Sequence, residues 1–380
     1  MTTPTPVRFT SRLHDERTAA FLGIALGASF SVCFATGLLS HAAQNPPAWL
    51  EWPARPAGLY RITQGLHVAT GIASIPLLLA KLWTVYPKLL RRPLFGSVAG
   101  FVERVSIVPL VAGGIFLLFT GLANINQWYP WPFNFRTAHY SVAWITIGAL
   151  IVHVGAKWTT TRTALSHAPH NKLPAAGNPI PSGLNRRGFL GLVAGAAGLV
   201  TVLTVGETVW PLRKLALLAP RRPDTGPQGF PVNRSAVAAG VTVTARDPNY
   251  RLVVDGAVGR RLELSLADLH SMPQHEATLP IACVEGWSAS RRWRGVRVRD
   301  LLDHAGAHPN ASVQVVSLQE GSSYRESELN PGQAHDRDTL LALFVNGEVL
   351  HLDHGYPLRL IGPNRPGVEQ TKWVTRLVVS

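Results

Sequence analysis

Five long apolar segments constrain this chain more than any other feature of its sequence. They cover residues 18–41, 64–86, 104–124, 138–158 and 188–210. Each is close to the ~20 residues that a helix needs to cross a bilayer. Only 15% of the 380 residues are charged, against about 25% in typical soluble domains. The sequence therefore predicts a membrane-embedded N-terminal half, followed from about residue 211 by a half without such segments.

The second half contains short segments typical of β-strands, separated by turn dipeptides. The segments are Leu252–Val254, Val313–Leu318, Leu341–Val345, Leu358–Ile361 and Leu377–Val379. Asp255-Gly256 and Asn346-Gly347 are the clearest turns. The predicted fold is multi-domain: an all-α five-helix transmembrane bundle precedes a mixed α/β, mostly β, domain. Its parts are a four-helix membrane domain (1–160), a linker (161–187), a fifth transmembrane helix (188–212) and a soluble domain (228–380).

The distribution of Lys and Arg predicts the orientation in the membrane, because cytoplasmic loops carry the excess of positive charge. The N-terminal tail and the second and fourth loops are rich in these residues, whereas the first and third loops contain only Arg55, Arg61 and Arg136. We therefore expect a multi-pass protein of the bacterial cell membrane with a cytoplasmic N-terminus and an extracytoplasmic C-terminal domain. The net charge of +14 follows this topology, and nucleic acid is excluded as a partner.

The residues that enter the fifth apolar segment read Asn185-Arg186-Arg187-Gly188-Phe189-Leu190. They resemble a twin-arginine export signal placed inside the chain, and a Pro/Gly-rich linker (169–183) precedes them. The alternative is two arginines that simply mark the cytoplasmic side. Twin-arginine export carries folded proteins, so the motif indicates a domain that receives a cofactor before it crosses the membrane.

Histidines inside the apolar segments are candidate haem ligands, because ionisable residues are rare at such positions. His67 and His139 both stand near the outer end of their segments, where two facing imidazoles can bind one iron. His153 lies fourteen residues after His139, roughly 21 Å along a helix, and would serve a second, inner haem. Interhelical hydrogen bonding is the alternative, and His41 is a possible substitute for either outer ligand. Residues 15–160 resemble the membrane b-type cytochromes that accompany extracytoplasmic redox enzymes, which implies one or two b-type haems.

A single cysteine ends a predicted buried strand in the soluble half, in the sequence Leu279-Pro280-Ile281-Ala282-Cys283-Val284-Glu285-Gly286-Trp287-Ser288. Taken alone, a lone cysteine is most often a buried free thiol. Its context includes Phe230–Arg234 upstream and, downstream, Asn346–Leu350, His354–Leu360 and Thr371–Trp373. This set, in this order and spacing, resembles the sulfite-oxidase fold of molybdopterin enzymes over about residues 228–380.

The resemblance implies that Cys283 supplies a thiolate to molybdenum, a metal centre that suits a soft sulfur ligand. It also implies contacts with the pterin cofactor, Mo-molybdopterin, whose phosphate requires fixed cationic donors. The residues implied in cofactor binding are Asn233, Arg234, Cys283, Gln319, His354, Arg359, Gln370, Thr371 and Lys372.

One departure from that family concerns the substrate. Sulfite oxidases follow the cysteine with a Gly-Asn-Arg segment, whereas this chain has Val284-Glu285-Gly286-Trp287. The sequence looks more like the bacterial methionine-sulfoxide reductase molybdoproteins, with Cys-Val-Glu-Ala-Trp. We therefore expect oxygen-atom transfer that reduces an S- or N-oxide of a small molecule or an oxidised protein, with electrons from membrane quinol. Two alternatives stay open: oxidation of a small anion such as sulfite with quinone as acceptor, and a non-catalytic cytochrome with an outer binding domain.

Overall fold

The computed structural model describes residues 12–89, 98–166, 184–322 and 324–380. The predicted Pro/Gly-rich linker (169–183) lies outside the described residues. The chain divides into two compact units. One is formed by residues 1–35 and 67–204, and the other by residues 36–66 and 205–380. The second unit thus combines the C-terminal domain with residues 36–66, which the sequence places in the predicted membrane domain.

Five long helices account for the apolar segments. They are α1 (Glu16–Gln44), α2 (Leu59–Leu89), α3 (Val98–Ile125), α4 (Phe135–Ser166) and α5 (Arg186–Val205). Each contains a stretch long and apolar enough to cross a membrane, so the predicted apolar helices are confirmed, and their crossing of a membrane stays a prediction. In the first unit α3 and α4 pack closely, because Gly113 leaves no room for a Cβ atom against the Thr146 hydroxyl.

Two five-stranded sheets form the C-terminal part of the second unit. The strands are β1 (Arg251–Gly256), β2 (Leu262–Ser265), β3 (His275–Ala282), β4 (Ser288–Arg297), β5 (Val313–Ser317), β6 (Glu326–Leu329), β7 (Leu340–Val345), β8 (Glu348–Val349), β9 (Arg359–Ile361) and β10 (Val374–Val379). Short helices α6 (Leu266–Ser271), α7 (Val298–Ala305) and α8 (Pro331–Ala334) lie between strands. The first sheet has the order β2-β1-β10-β5-β6, and the second has β3-β4-β7-β8 with β9 paired to β7. The predicted mixed, mostly β architecture is confirmed.

The two sheets share one hydrophobic core. Leu252, Val315 and Leu377 of the first sheet form a buried cluster with Val296 and Leu341 of the second. All five predicted strand segments fall on or overlap β1, β5, β7, β9 and β10. The predicted Asn346-Gly347 turn joins β7 to β8 with positive φ at both residues, the backbone conformation that a type I′ hairpin turn requires.

A second cluster covers the other face of the β3–β4–β7 sheet and contains the cysteine. Ile281, Trp293 and Ala342 pack there with Phe230 and Cys283. The central strand β7 is buried on both faces and is accordingly a continuous run of apolar residues. The hairpin between β3 and β4 therefore presents residues 283–287 from a rigid base.

Candidate functional site

Cys283 directly follows β3, in the tight connection to β4. Its amide donates to the Trp287 carbonyl over 2.9 Å, and its carbonyl accepts from the Gly286 amide over 3.1 Å, which fixes the turn. Two donors reach the sulfur: the Asn233 side-chain amide at 2.8 Å and the Glu285 backbone amide at 3.4 Å. N–H donors directed at sulfur favour a thiolate over a thiol.

When no metal is bound, burial of Cys283 acts on the pKa of its thiol in the opposite direction to those N–H donors. Cys283 is 1% exposed, and burial, reinforced by the negative charge of Glu285, raises the pKa of its thiol to about 12. The protein alone therefore keeps this sulfur protonated at neutral pH. A metal cation bound to the sulfur reverses the balance, since coordination deprotonates a thiol outright.

Arg359 and Lys372 form a cluster of basic groups beside His354 in the same unit. Arg359 is 5% exposed and donates from Nη1 to the His354 carbonyl over 2.9 Å. Its Nε has no hydrogen-bond partner within the described part of the chain. Burial lowers the pKa of Arg359 to about 9, and burial together with Arg359 lowers the pKa of Lys372 to about 7. Positive charges held this way favour an anionic ligand.

His354 supports this cluster rather than adding a charge to it. Its ring stacks on Phe230 with centroids 3.6 Å apart, and Nε2 lies 2.7 Å from the Pro227 carbonyl. A carbonyl can only accept, so Nε2 carries the proton. Burial, with Arg359 nearby, lowers the pKa of His354 to about 3. The imidazole is therefore neutral at physiological pH.

Gln319, Gln370 and Thr371 adjoin Lys372. Ser317 accepts from the Gln319 amide over 3.1 Å and donates to the Lys372 carbonyl over 2.7 Å. The Gln319 side-chain nitrogen and the Gln370 side-chain oxygen are buried without a hydrogen-bond partner among the residues described. Thr371 is instead engaged with Ser327 at 2.6 Å. Two amide side chains thus leave polar atoms for a ligand to satisfy.

Asn233 and Arg234 join the thiol to the cationic cluster. The Asn233 amide reaches the sulfur, and the next residue accepts at its carbonyl from Lys372 Nζ. The Arg234 guanidinium itself donates to the Ala238 carbonyl over 3.0 Å. The structure therefore connects Cys283 to Lys372 through Asn233 and Arg234. The predicted role of each residue in binding a cofactor stays a prediction.

In the first unit, His67 and His139 lie side by side with ring centroids 6.1 Å apart. His67 Nδ1 is 2.9 Å from the Cys33 carbonyl, and His139 Nδ1 is 2.8 Å from the Thr120 hydroxyl. The carbonyl only accepts, and the Thr120 hydroxyl already donates to the Phe116 carbonyl. Both Nδ1 atoms therefore carry the proton, so the lone pair of each neutral ring is on Nε2.

His153 and His41 are not part of this pair of rings. His153 lies in the later half of α4, fourteen residues after His139, and His41 lies in the last turn of α1. Pairing of two of the predicted ligands is thus observed, and His153 as an inner ligand stays a prediction.

Sequence reasoning missed Glu207, which follows α5. It is fully buried, and burial raises the pKa of its carboxyl to about 8, although the Arg221 backbone acts in the opposite direction. Its carbonyl accepts from the Ser288 amide over 2.8 Å, and the Thr208 hydroxyl donates to the Gly286 carbonyl. The residues after α5 therefore brace the turn that contains the cysteine. An acidic residue inside the predicted fifth apolar segment (188–210) was the available signal.

Residues 239–380 match a family model described as "Oxidoreductase molybdopterin binding domain". Cys283, Arg359 and Lys372 lie within the matched range, whereas Asn233 and Arg234 precede it.

Three curated relatives share this part of the chain. Sulfite oxidase of Gallus gallus is 34% identical over 167 residues, which cover 36% of each chain. The uncharacterized oxidoreductase YuiH of Bacillus subtilis is 32% identical over 33% of this chain and 62% of its own. The putative protein-methionine-sulfoxide reductase subunit YedZ1 of Azospira oryzae is 31% identical over 35% of this chain and 49% of its own.

The chain spans only about a third of the length of the curated sulfite oxidases that it matches. Within that limit, the homologues indicate an oxidoreductase with a molybdopterin-binding domain of the sulfite-oxidase type.

Proposed function

We propose that this chain is a membrane-anchored molybdopterin oxidoreductase that reduces an S- or N-oxide by oxygen-atom transfer. Electrons come from membrane quinol through a b-type haem held by His67 and His139. The observation that carries the proposal is the site in which Asn233-Arg234 link the buried Cys283 thiol to the buried basic groups Arg359 and Lys372. Neither a structural thiol nor a solvated surface patch accounts for that combination.

The residues present fit Mo-molybdopterin. The sulfur of Cys283 has N–H donors that favour its thiolate form, as a soft metal ligand requires. Arg359 retains an unpartnered donor for a phosphate within the described site, and Gln319 and Gln370 retain polar atoms for a bicyclic ring system. When bound, the cofactor supplies two-electron redox chemistry and exchange of an oxygen atom. The chain's own groups bind it, orient it and exclude water around the sulfur.

The His67–His139 pair fits one haem iron. His67 and His139 would hold the iron through their imidazole nitrogens, and the 6.1 Å between their ring centroids supports both rings serving one haem. With the protons on the Nδ1 atoms that bond to Cys33 and Thr120, Nε2 of each ring would be the ligating atom.

The direction of the reaction is inferred from the residues near the sulfur. Glu285 is buried and disfavours a second negative charge beside Cys283. A neutral sulfoxide therefore suits this position better than an anion such as sulfite. Oxidation of sulfite, with quinone as acceptor, is the second candidate, because sulfite oxidases are among the relatives.

Five apolar helices support anchoring in a membrane. The positive charges of the even loops support a cytoplasmic N-terminus and an extracytoplasmic second unit. Arg186 and Arg187 begin α5, where an export signal would be read before the folded domain crosses. Export through the twin-arginine route is part of the same proposal.

The first experiment measures metals and redox direction on detergent-purified protein from a cofactor-competent host. We expect about one molybdenum and one or two irons per chain, and we expect methionine sulfoxide to oxidise dithionite-reduced haem. Sulfite should leave the oxidised haem unchanged. Reduction of the haem by sulfite would instead establish the second candidate, and iron without molybdenum would contradict both.

Arg359→Met should weaken retention of the cofactor without lowering the thermal stability of the protein. Loss of a charge-assisted contact costs about 1.5–3 kcal/mol, which predicts loss of most of the bound pterin on gel filtration. The cofactor-free protein should melt at an equal or higher temperature, because an incompletely paired buried cation is removed. Arg376→Met is the matched control, since Arg376 pairs with Asp255 at the surface and should keep the cofactor. Full pterin content in Arg359→Met would contradict the assigned phosphate contact.

A further inference from the structure

The connection between α1 and α2 packs tightly within the second unit. We call residues 45–61 the α1–α2 segment. Arg55 makes a two-pronged ion pair with Asp336, both contacts at 2.9 Å, and also contacts Asp338. Because Arg55 is 43% exposed along its side chain, this pair contributes little to stability. The buried contacts of the segment therefore matter more.

Asn364 is the centre of those buried contacts. Its side chain accepts from the Tyr60 amide over 2.8 Å and donates to the Pro53 carbonyl over 2.7 Å. Its backbone accepts from the Trp52 indole over 3.0 Å and donates to the Ala57 carbonyl over 3.1 Å. Four hydrogen bonds to one residue that is 2% exposed fix the segment in a single position.

The same segment reaches the residue before the metal-binding cysteine. Trp52, Tyr60 and Ala43 form one buried cluster with Ala282, and Ala282 is covalently joined to Cys283. Trp52 is 5% exposed and Tyr60 is 1% exposed. Two aromatic rings are therefore packed, without intervening solvent, around the backbone that leads into the sulfur.

Tyr60 also lies in α2, the helix that contains His67. We propose that the α1–α2 segment is the route by which electrons enter the Cys283 site, with Trp52 and Tyr60 as its packed core and Asn364 as the positioning residue. This inference rests on the proposed haem and molybdenum centres.

The electron balance defines what the segment has to carry. Reduction of one sulfoxide consumes two electrons and two protons and yields the sulfide and water. One membrane quinol supplies both electrons and releases two protons on oxidation. The segment therefore passes two single electrons per turnover, and continuous packing favours each passage over a gap filled with water.

The test compares electron delivery from the haem, which would use this segment, with electron delivery from a dye in solution, which would not. In stopped flow, methionine sulfoxide is mixed with dithionite-reduced protein and the haem oxidation rate is recorded. In parallel, sulfoxide reduction is driven by a reduced viologen dye, which delivers electrons to the outer site from solution. Trp52→Leu should slow haem oxidation relative to wild type, while dye-driven turnover and molybdenum content stay near wild type. Trp52→Phe, which keeps a ring, should have a smaller effect.

Trp49→Leu is the matched control, because Trp49 lies three residues earlier and is 82% exposed. It should leave both rates unchanged. Tyr60→Leu provides an independent variant should Trp52→Leu lose molybdenum. Unchanged haem oxidation in a variant with full metal content overturns the proposal. An equal fall of haem oxidation and dye-driven turnover also overturns it, as does loss of molybdenum in both Trp52→Leu and Tyr60→Leu. Either of these two results would show that the segment only supports the fold. If the wild-type haem fails to respond to sulfoxide, the proposed function itself fails.

Discussion

We expect Cys283→Ala to abolish the proposed sulfoxide reduction, with both quinol and viologen as electron donors, and to leave the spectrum of the proposed haem intact. The alanine offers no ligand to the metal, and the Asn233 and Glu285 N–H groups lose the sulfur acceptor that they share. We expect turnover to fall to the background rate, a loss of at least about 10³-fold, as for other residues that bond the reacting centre. The haem spectrum should not change, because the predicted iron ligands are on α2 and α4.

Cys33→Ala is the control for this variant, since Cys33 is the chain's other cysteine. Its side chain contacts Thr70 and the His67 backbone carbonyl, whereas the contact with the His67 imidazole uses the Cys33 backbone carbonyl, which alanine retains. Turnover and haem content should both survive. Measurable sulfoxide reduction in Cys283→Ala, above a cofactor-free preparation, would exclude Cys283 as the molybdenum ligand.

The elements of the fold could be predicted because their signals are local. The apolar runs give the five helices within a few residues, and α4 continues to Ser166 beyond the apolar run because a helix does not end where its hydrophobicity ends. The Asn346-Gly347 turn is specified by two residues that tolerate positive φ. The parallel pairing of β1 with β10 joins distant parts of the chain, and no local pattern encodes it.

The residues of the candidate site could be predicted from motifs, but their contacts could not. Its residues were identified from a resemblance of motifs, and the structure adds how Asn233-Arg234 connect Cys283 to Lys372. Trp49 and Trp52 could not be told apart by sequence, since both are aromatic residues in a Pro-rich loop. Trp49 is 82% exposed, whereas Trp52 is 5% exposed, because Trp52 packs in one cluster with Tyr60 and Ala282, which is distant in sequence.

His67→Leu and His139→Leu each remove the same b-type haem absorption. A single imidazole cannot hold the iron in its six-coordinate, low-spin state, so the reduced α-band should disappear and bound haem should fall about tenfold or more.

Thr120→Ala is a milder variant at the same site, because it keeps both histidines and removes only the hydroxyl 2.8 Å from His139 Nδ1. It should keep the haem but shift its reduction potential or weaken its binding.

The matched control is His153→Leu, on the same helix as His139 and outside the ring pair. It should keep the absorption that the other two variants lose, and any second, smaller loss would identify an inner haem. His139→Leu should also retain viologen-driven sulfoxide reduction while quinol-driven reduction stops. The two variants should therefore lose different properties. Cys283→Ala should keep the haem and lose turnover, whereas His139→Leu should lose the haem and keep viologen-driven turnover. Loss of the α-band in His153→Leu, or its persistence in His139→Leu, would contradict the assigned pair.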